Sequence, residues 1–194
     1  MAPALTIHDL NALTHKPRAL EILAQINRIE RKTFPPSEAF DFSDEALYRR
    51  KPNTHILYAT AADEDTTTST STSTSLAMAA KSATRRPTTT TTPIIAYALY
   101  VRQKSTALLH KVCVAEPFRG QGVGRQLLTY VLERSLGARC LAVQLWVDER
   151  REAARALYGG CGFVEVEGVE DYYGAGRRGL RMVLELGVRE GGEG

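Results

Sequence analysis

The stretch FRGQGVGRQLL, residues 118–128, restricts the fold more than any other part of the chain. Gly120, Gly122 and Gly124 stand at alternate positions between Arg119 and Arg125. An apolar-periodic run follows at once. Val123, Leu127, Leu128, Val131, Leu132 and Leu136 recur at helical spacing, and Gly137 ends the run. The preceding ALLHKVCVA, residues 107–115, reads as a strand. The glycines therefore lie between a strand and a helix N-terminus, where backbone N–H groups lack partners and carry the positive end of the helix dipole. Three missing Cβ atoms let an anion reach those amides. The spacing is not the dinucleotide pattern GxGxxG, because Arg125 and Leu127 occupy the possible third-glycine positions. It also lacks the Lys-Ser/Thr pair of the nucleotide P-loop.

The rest of the chain supplies alternating elements. Residues 4–8 read as a short strand. Pro17 opens a helix that carries Ala19, Leu20, Ile22, Leu23, Ile26 and Ile29 on one face and stops at Phe34-Pro35-Pro36. A short helix is expected over 43–50 and a strand over 55–60. Strands follow at 93–101 and 107–115, then the helix after the glycines, then a strand at 140–147. Asp148 is placed to cap a further helix that runs through Tyr158 to Gly159-Gly160. GFVEVE and GLRMVLEL read as two last strands. The segment 63–92 is threonine- and serine-rich and cannot bury enough apolar area to offset its ordering entropy. It reads as a disordered insertion between two strands: a tolerated loop expansion or a phosphorylation or docking segment.

One domain over 1–186, with that insertion and a flexible tail at 187–194, fits a chain of 194 residues with 43% apolar residues. A formal net charge of +3 is too small a bias to argue for nucleic acid. Cys113, Cys140 and Cys161 have no paired or metal-like spacing, so they read as reduced and mostly buried, and no metal site is expected. The start MAPALTIHDL has neither a basic opening nor a long apolar run, and no stretch is long enough to span a membrane. These features point to a cytoplasmic protein without a membrane partner.

Arg119-Gly120-Gln121-Gly122-Val123-Gly124 resembles the acetyl-coenzyme-A signature of the GNAT superfamily of N-acetyltransferases, Arg/Gln-x-x-Gly-x-Gly/Ala. ARALYGGCGF resembles that family's second conserved block, and the element order matches along essentially the whole ordered chain. The resemblance implies an α/β (α+β) fold with a mixed central sheet of about seven strands, splayed in the middle and flanked by about four helices. It implies that the strands carrying Val112, Cys113, Val114 and Ala115 on one side and Leu145 to Val147 on the other part to admit the pantetheine arm of acetyl-CoA. The pyrophosphate then meets the amides of Gln121, Gly122, Val123, Gly124 and Arg125, with Arg119 and Gly120 at the loop's start. Ala154 is implied as a further cofactor contact. Arg151 stands where many members carry an asparagine that touches the cofactor; an arginine there either reaches a phosphate or is solvated.

The same resemblance assigns chemistry. Tyr158 matches the tyrosine that commonly protonates the departing thiolate, or it packs on the sulfur. RimI-like enzymes often carry a glutamate or histidine base where this chain has Trp146, and NatE-type enzymes a tyrosine where it has Leu108. His110 is the remaining candidate. Strict alternation puts it on one face with Leu108, Val112 and Val114, and LHKVCVAEPFRGQGVG is similar to arylalkylamine N-acetyltransferases that use a histidine base there. A structural histidine is the alternative. DYYGAGRRGLRM, with Tyr172 and Tyr173, resembles the tyrosine hairpin of protein N-terminal acetyltransferases, and Phe34-Pro35-Pro36 resembles the segment lining their first side-chain pocket. Trp146 joins these as a substrate contact. A peptide α-amine titrates near ~8, so its neutral form at pH 7 costs about 1 kcal/mol, whereas a lysine amine near ~10.4 costs about 4–5 kcal/mol. A site without a strong base suits the former.

The expected activity is therefore acetyl-CoA-dependent transfer to a primary amine by direct attack, with a protein N-terminus as acceptor. A small arylalkylamine or polyamine acceptor is the second reading, and a catalytically idle CoA-binding module the third. Arg150, Arg151, Arg155, Arg177, Arg178 and Arg181 either face ribosomal RNA or are scattered surface charges, since Glu149 and Glu152 interrupt them. The ribosome or a larger acetyltransferase complex is the implied partner, without sequence-specific nucleic-acid binding.

Overall fold

The computed structural model describes residues 3–43, 53–62, 92–136 and 140–187. Its regular elements are β1 (Leu5–Asp9), α1 (Lys16–Thr33), β2 (Thr54–Ala61), β3 (Ile94–Gln103), β4 (Thr106–Val114), α2 (Val123–Tyr130), β5 (Ala142–Asp148), α3 (Glu152–Gly159), β6 (Val164–Val169) and β7 (Gly179–Glu185). The seven strands form one sheet in the order β1-β2-β3-β4-β5-β7-β6. The β4–β5 pair is parallel and every other pair antiparallel. The expected order of elements is present, with three α-helices among the described residues. The helix expected over 43–50 and the insertion at 63–92 fall almost entirely outside them. No helix among the described residues is long and apolar enough to cross a membrane.

Two apolar layers cover the sheet. On one face Ala19, Ile22, Leu23 and Ile26 of α1 bury against Ile56, Tyr97 and Leu99. Their spacing supplies one continuous stripe, and each fully buried branched side chain contributes about 1.5–3 kcal/mol. Pro17 sits in the first turn of α1, and the His15 ring accepts from Arg18 N–H. At the far end Phe34 N–H closes on Glu30 O, and Pro35 cannot continue the helix. On the opposite face Val123, Leu127, Leu128 and Val131 pack with Ala98, Leu109, Val143 and Leu145. The helix after the glycines does not run regularly to Leu136. A π turn over Val131–Ser135 follows α2, and Leu136 N–H reaches Val131 O at 3.1 Å. The wider turn brings Val131 and Leu136, five residues apart, into the same core.

Two departures from the sequence expectation shape the site. In β4, Leu99 pairs with Lys111 but Tyr100 pairs with Leu109, so His110 is the extra residue of a β-bulge. Strict alternation therefore fails. Val112 and Val114 pack on the same core as Leu109, while Cys113 belongs to the α1 side. The second departure concerns Asp148, which does not cap α3. The N-cap is Arg151, and Asp148 ends β5, its Oδ1 accepting from Arg150 N–H and its carbonyl from Arg151 N–H.

β4 and β5 pair only from Thr106–Ala142 to Leu109–Leu145. Beyond that point β4 stays with β3 as far as Val114, and β5 stays with β7 as far as Asp148. The two strands part at His110 and Trp146. The sheet is thus splayed, one residue later on β5 than the sequence reading placed it.

Candidate active site

The glycine loop opens beside this gap. Gly120 has φ +72° and Gly122, the N-cap of α2, has φ +79°. An L side chain at either position would be strained. Gly124 has ordinary helical backbone, but a Cβ there would lie 3.3 Å from Leu157 Cδ2 and 3.5 Å from Val114 Cγ2, so it is the point of closest approach of α2 to α3 and β4. Gln126 N–H is the first amide of this turn with a backbone acceptor, Gly122 O. The amides from Gly120 to Arg125 precede it and find none among the described residues. A cradle of free N–H groups, bare of Cβ atoms at its entrance, fits a diphosphate. Arg119 is turned inward, its guanidinium donating to Val114 O at 2.9 Å and Thr33 Oγ1 at 3.0 Å. Gln121 Nε2 donates to Pro117 O, which braces the loop from below. Arg125 lies against Gly160 at the C-terminal end of α3.

On the other side of the gap is a cavity of about 400 Å³. Tyr158 of α3 is 8% exposed, sits edge-on to Phe163 at 5.8 Å and faces this cavity. Burial pushes its phenol up to about 12. His110 also lines the cavity, with its ring edge-on to Phe40 at 5.9 Å. Burial, and then the Lys111 ammonium, lower its pKa below the ordinary imidazole range. Trp146, the first β5 residue past the split, stacks on Tyr172 at 4.3 Å and 11°, and Tyr172 meets Tyr173 edge-on. Burial raises the pKa of both tyrosines. They project from the β6–β7 connection, which Asp171 ties by accepting from Gly176 N–H at 2.6 Å.

A chain of charges crosses the cavity. Glu30, fully buried on α1, pairs with Lys111 Nζ at 3.2 Å. Burial raises Glu30 despite the Phe40 N–H and Lys111, and burial lowers Lys111. Lys111 Nζ also donates to Glu38 O at 2.8 Å and lies 3.5 Å above the Phe34 ring. The Glu38 carboxylate meets Arg151 Nη2 at 2.7 Å and Arg177 Nη1 at 2.6 Å. Arg177 continues to Asp148. Burial works to raise Asp148, but Arg150 N–H and Arg177 outweigh it and hold its carboxyl below the usual range.

The structure brings Phe34, His110, Val112, Trp146, Arg151, Ala154, Tyr158, Tyr172 and Tyr173 to one cavity. The loop residues Arg119, Gly120, Gln121, Gly122, Val123, Gly124 and Arg125 stand apart from that cavity, at the other end of the gap. Val114 belongs with the loop, its Cγ2 beside Gly124 and its carbonyl taken by Arg119. The Cys113 thiol points to the α1 face, 3.5 Å from Thr33 Oγ1. Pro35 begins a turn through its carbonyl, which accepts from Glu38 and Ala39, and Pro36 lines a separate depression. Arg151 reaches Glu38 and the Phe34 ring.

Sequence reasoning missed Glu30, Glu38, Phe40, Lys111 and Asp148 as site residues. Glu30, on the buried stripe four residues after Ile26, and Lys111, inside an apolar strand, were the available signals. The six arginines weighed for RNA are engaged within the chain. Five pair with acids: Arg151, Arg155, Arg177, Arg178 and Arg181. The sixth, Arg150, donates to Gly176 O. Among the described residues no group of three or more His, Cys, Asp or Glu is placed to hold a metal ion.

Four similarities to known proteins bear on this arrangement. The N-alpha-acetyltransferase MAK3 of Arabidopsis thaliana is 29% identical over 83 residues. The match covers 43% of this chain and 44% of that protein, less than half the length of either. The ribosomal-protein-S18-alanine N-acetyltransferase of Escherichia coli superposes with a TM-score of 0.64 at 20% identity, over 98% of this chain and 97% of that one. Arabidopsis thaliana NAA60, in complex with a bisubstrate analogue, superposes with a TM-score of 0.67 at 15% identity, over 94% and 98%. At such identities the two structures speak to the fold alone. The model of the acetyltransferase (GNAT) family matches residues 23–163, a span from α1 through the glycine loop and the split strands to Phe163. With most of the chain inside that match, this protein belongs to the acetyltransferase (GNAT) family.

Proposed function

We propose that the chain is an acetyl-CoA-dependent N-acetyltransferase whose acceptor is the α-amine of a protein N-terminus. The observation that carries this reading is the aromatic-walled cavity that joins Tyr158 and His110 to the Tyr172–Tyr173 hairpin, where β4 and β5 part. The free amides from Gly120 to Arg125 would hold the cofactor's diphosphate, and the side of β4 that β5 leaves unpaired beyond Leu109 faces the gap an extended arm requires. Bound there, acetyl-CoA supplies an activated acyl thioester.

The chain's own residues account for the protons. His110 stays neutral at pH 7 because its pKa is lowered, so its imidazole is free to accept a proton from an incoming ammonium. Burial pushes the Tyr158 phenol up to about 12, so Oη carries its proton at neutral pH and is suited to donate it. Trp146, Tyr172 and Tyr173 supply flat apolar walls with hydroxyls at their edges, which suit a peptide backbone. Neutralising an α-amine at pH 7 costs about 1 kcal/mol, within reach of a single imidazole. A polyamine would need a free carboxylate for its second ammonium. The two acids at the cavity, Glu38 and Asp148, are both held by arginine. The relationship to MAK3, an N-alpha-acetyltransferase, points the same way.

The test is an acceptor panel with thiol release as the readout. It pairs ten-residue peptides of varied first residue with spermidine, an arylethylamine and a lysine side-chain peptide whose N-terminus is blocked. Turnover of free-amine peptides is the expected result. Turnover of the arylethylamine alone replaces this reading with the small-amine one. Saturable acetyl-CoA binding with no acceptor consumed replaces it with a binding module.

A further inference from the structure

Two walls of the cavity come from segments that the sheet does not hold. One is the turn after α1 with Phe34, Glu38 and Phe40, and the other is the β6–β7 connection with Tyr172 and Tyr173, which carries Arg177 behind the cavity lining. Glu38 joins them. Its carboxylate lies 2.7 Å from Arg151 Nη2, a hydrogen bond, and 2.6 Å from Arg177 Nη1, an ion pair without hydrogen-bond alignment, and its side chain is 11% exposed. Arg177 is fixed in turn by Asp148, and its main chain pairs with Tyr173, whose N–H donates to Arg177 O at 3.2 Å. Its guanidinium also donates to Tyr173 O at 3.3 Å. From the other direction Lys111 Nζ holds Glu38 O, and Lys111 is anchored to the buried Glu30. Glu30, Glu38 and Asp148 balance Lys111, Arg151 and Arg177, so this chain of pairs leaves no net charge for a ligand. Its geometry serves to hold the walls at a set distance.

We infer that Glu38 is a positioning residue for the acceptor. Its bridge to Arg177 fixes the separation of the Phe34 wall from the Tyr172–Tyr173 wall, and Arg151 steadies the carboxylate from the N-terminus of α3. The inference rests on reading this cavity as the acceptor site. The free amides that would take the diphosphate lie at the other end of the gap, so loss of the bridge acts on acceptor binding and spares acetyl-CoA. Removing the Glu38 carboxylate also strips Arg151 of its acidic partner among the described residues and leaves a cation facing the cavity.

Kinetics with the best acceptor from the panel test this. Glu38→Ala and Arg177→Ala should each raise the acceptor KM about tenfold, with the KM for acetyl-CoA within about twofold of wild type. The double variant should be no worse than about either single one, because both remove one bridge. Glu38→Gln should recover part of the loss. In Glu38→Ala, peptides with an early acidic residue should lose least, a charge-specific effect that loosening alone would not produce. Wild-type acceptor KM in both single variants overturns the inference, as does additivity or an equal loss toward acetyl-CoA. Should Glu38→Ala not fold, Glu38→Gln and Arg177→Ala carry the comparison. Hydrogen exchange gives a readout independent of any acceptor: amides of residues 34–40 and 170–178 should exchange faster in the variants, and unchanged exchange overturns the bridge. A wild-type chain that acetylates nothing sinks the functional reading instead, and the exchange result then decides the bridge by itself.

Discussion

Tyr158 and His110 sit in one cavity with pKa values displaced in opposite directions, and under the proposed function that would divide their duties. The Tyr158 phenol is pushed up to about 12 by burial, so it is a donor throughout the neutral range. A general acid is active below its pKa, and its contribution is lost only as pH rises through about 12. A general base is active above its pKa, and that of His110 is lowered by burial and by Lys111. The wild-type kcat profile should therefore stay level on the alkaline side through pH 10 and fall on the acid side only below the ordinary imidazole range. Tyr158→Phe should lower kcat by about 10²-fold with little change in the KM for acetyl-CoA. His110→Gln should erase the acid limb, and an unchanged rate and profile in that variant would remove His110 from the proton path. Tyr158 was legible in the sequence through the block that carries it. The environment of His110 was not, because a bulge set by pairing with β3 decides where its ring goes.

At the scale of elements, two local devices make the site. One is the glycine loop, where positive φ at Gly120 and Gly122 turns the chain into α2, and Gly124 lets α2 approach α3 and β4. Gly124→Val would drive side-chain atoms into Leu157 and the Val114 methyl, displacing the start of α2 and its amides. Titration calorimetry should show coenzyme A affinity reduced about tenfold or more, against a loss of a few degrees in Tm. Retained affinity would separate the loop from cofactor binding. The other device is the split itself. β4 and β5 share pairs only as far as Leu109 and Leu145, and each is then held by its other neighbour. The loop could be read from residue spacing, because glycine's freedom and a helix's unpaired amides are local properties. So could the amphipathic stripe of α1. The N-cap of α3 could not: Asp148 Oδ1 accepts from Arg150 N–H and Oδ2 from Arg177, distant in sequence, so Arg151 holds the cap position without a side-chain bond.

Over the whole molecule the sheet carries a core on each face, and the buried Glu30–Lys111 pair lies where α1 meets the bulged strand. Glu30 Oε1 takes Lys111 and Phe40 N–H, while Glu30 Oε2 is buried without a hydrogen-bond partner among the described residues. Such a pair is costly to break from one side. Lys111→Met should destabilise by about 3 kcal/mol or more, roughly 6–12 °C in Tm, because it leaves a buried carboxylate alone. Glu30→Leu with Lys111→Met should recover most of that loss in thermal unfolding, since two well-packed apolar groups need no compensating charge. A double variant as unstable as the single one would mean that the pair's contacts to Glu38 and Phe34 matter more than its charge balance. The sequence by itself determined the order of strands and helices, the stripe of α1 and the anion-ready glycine loop, each a matter of periodicity and backbone freedom within a few residues. Only the tertiary structure decided the bulge at His110, the fate of Asp148 and the run of charges from Glu30 to Arg177. Strand register and ion pairing are set by partners far away along the chain, and which partner wins depends on burial that no local pattern contains.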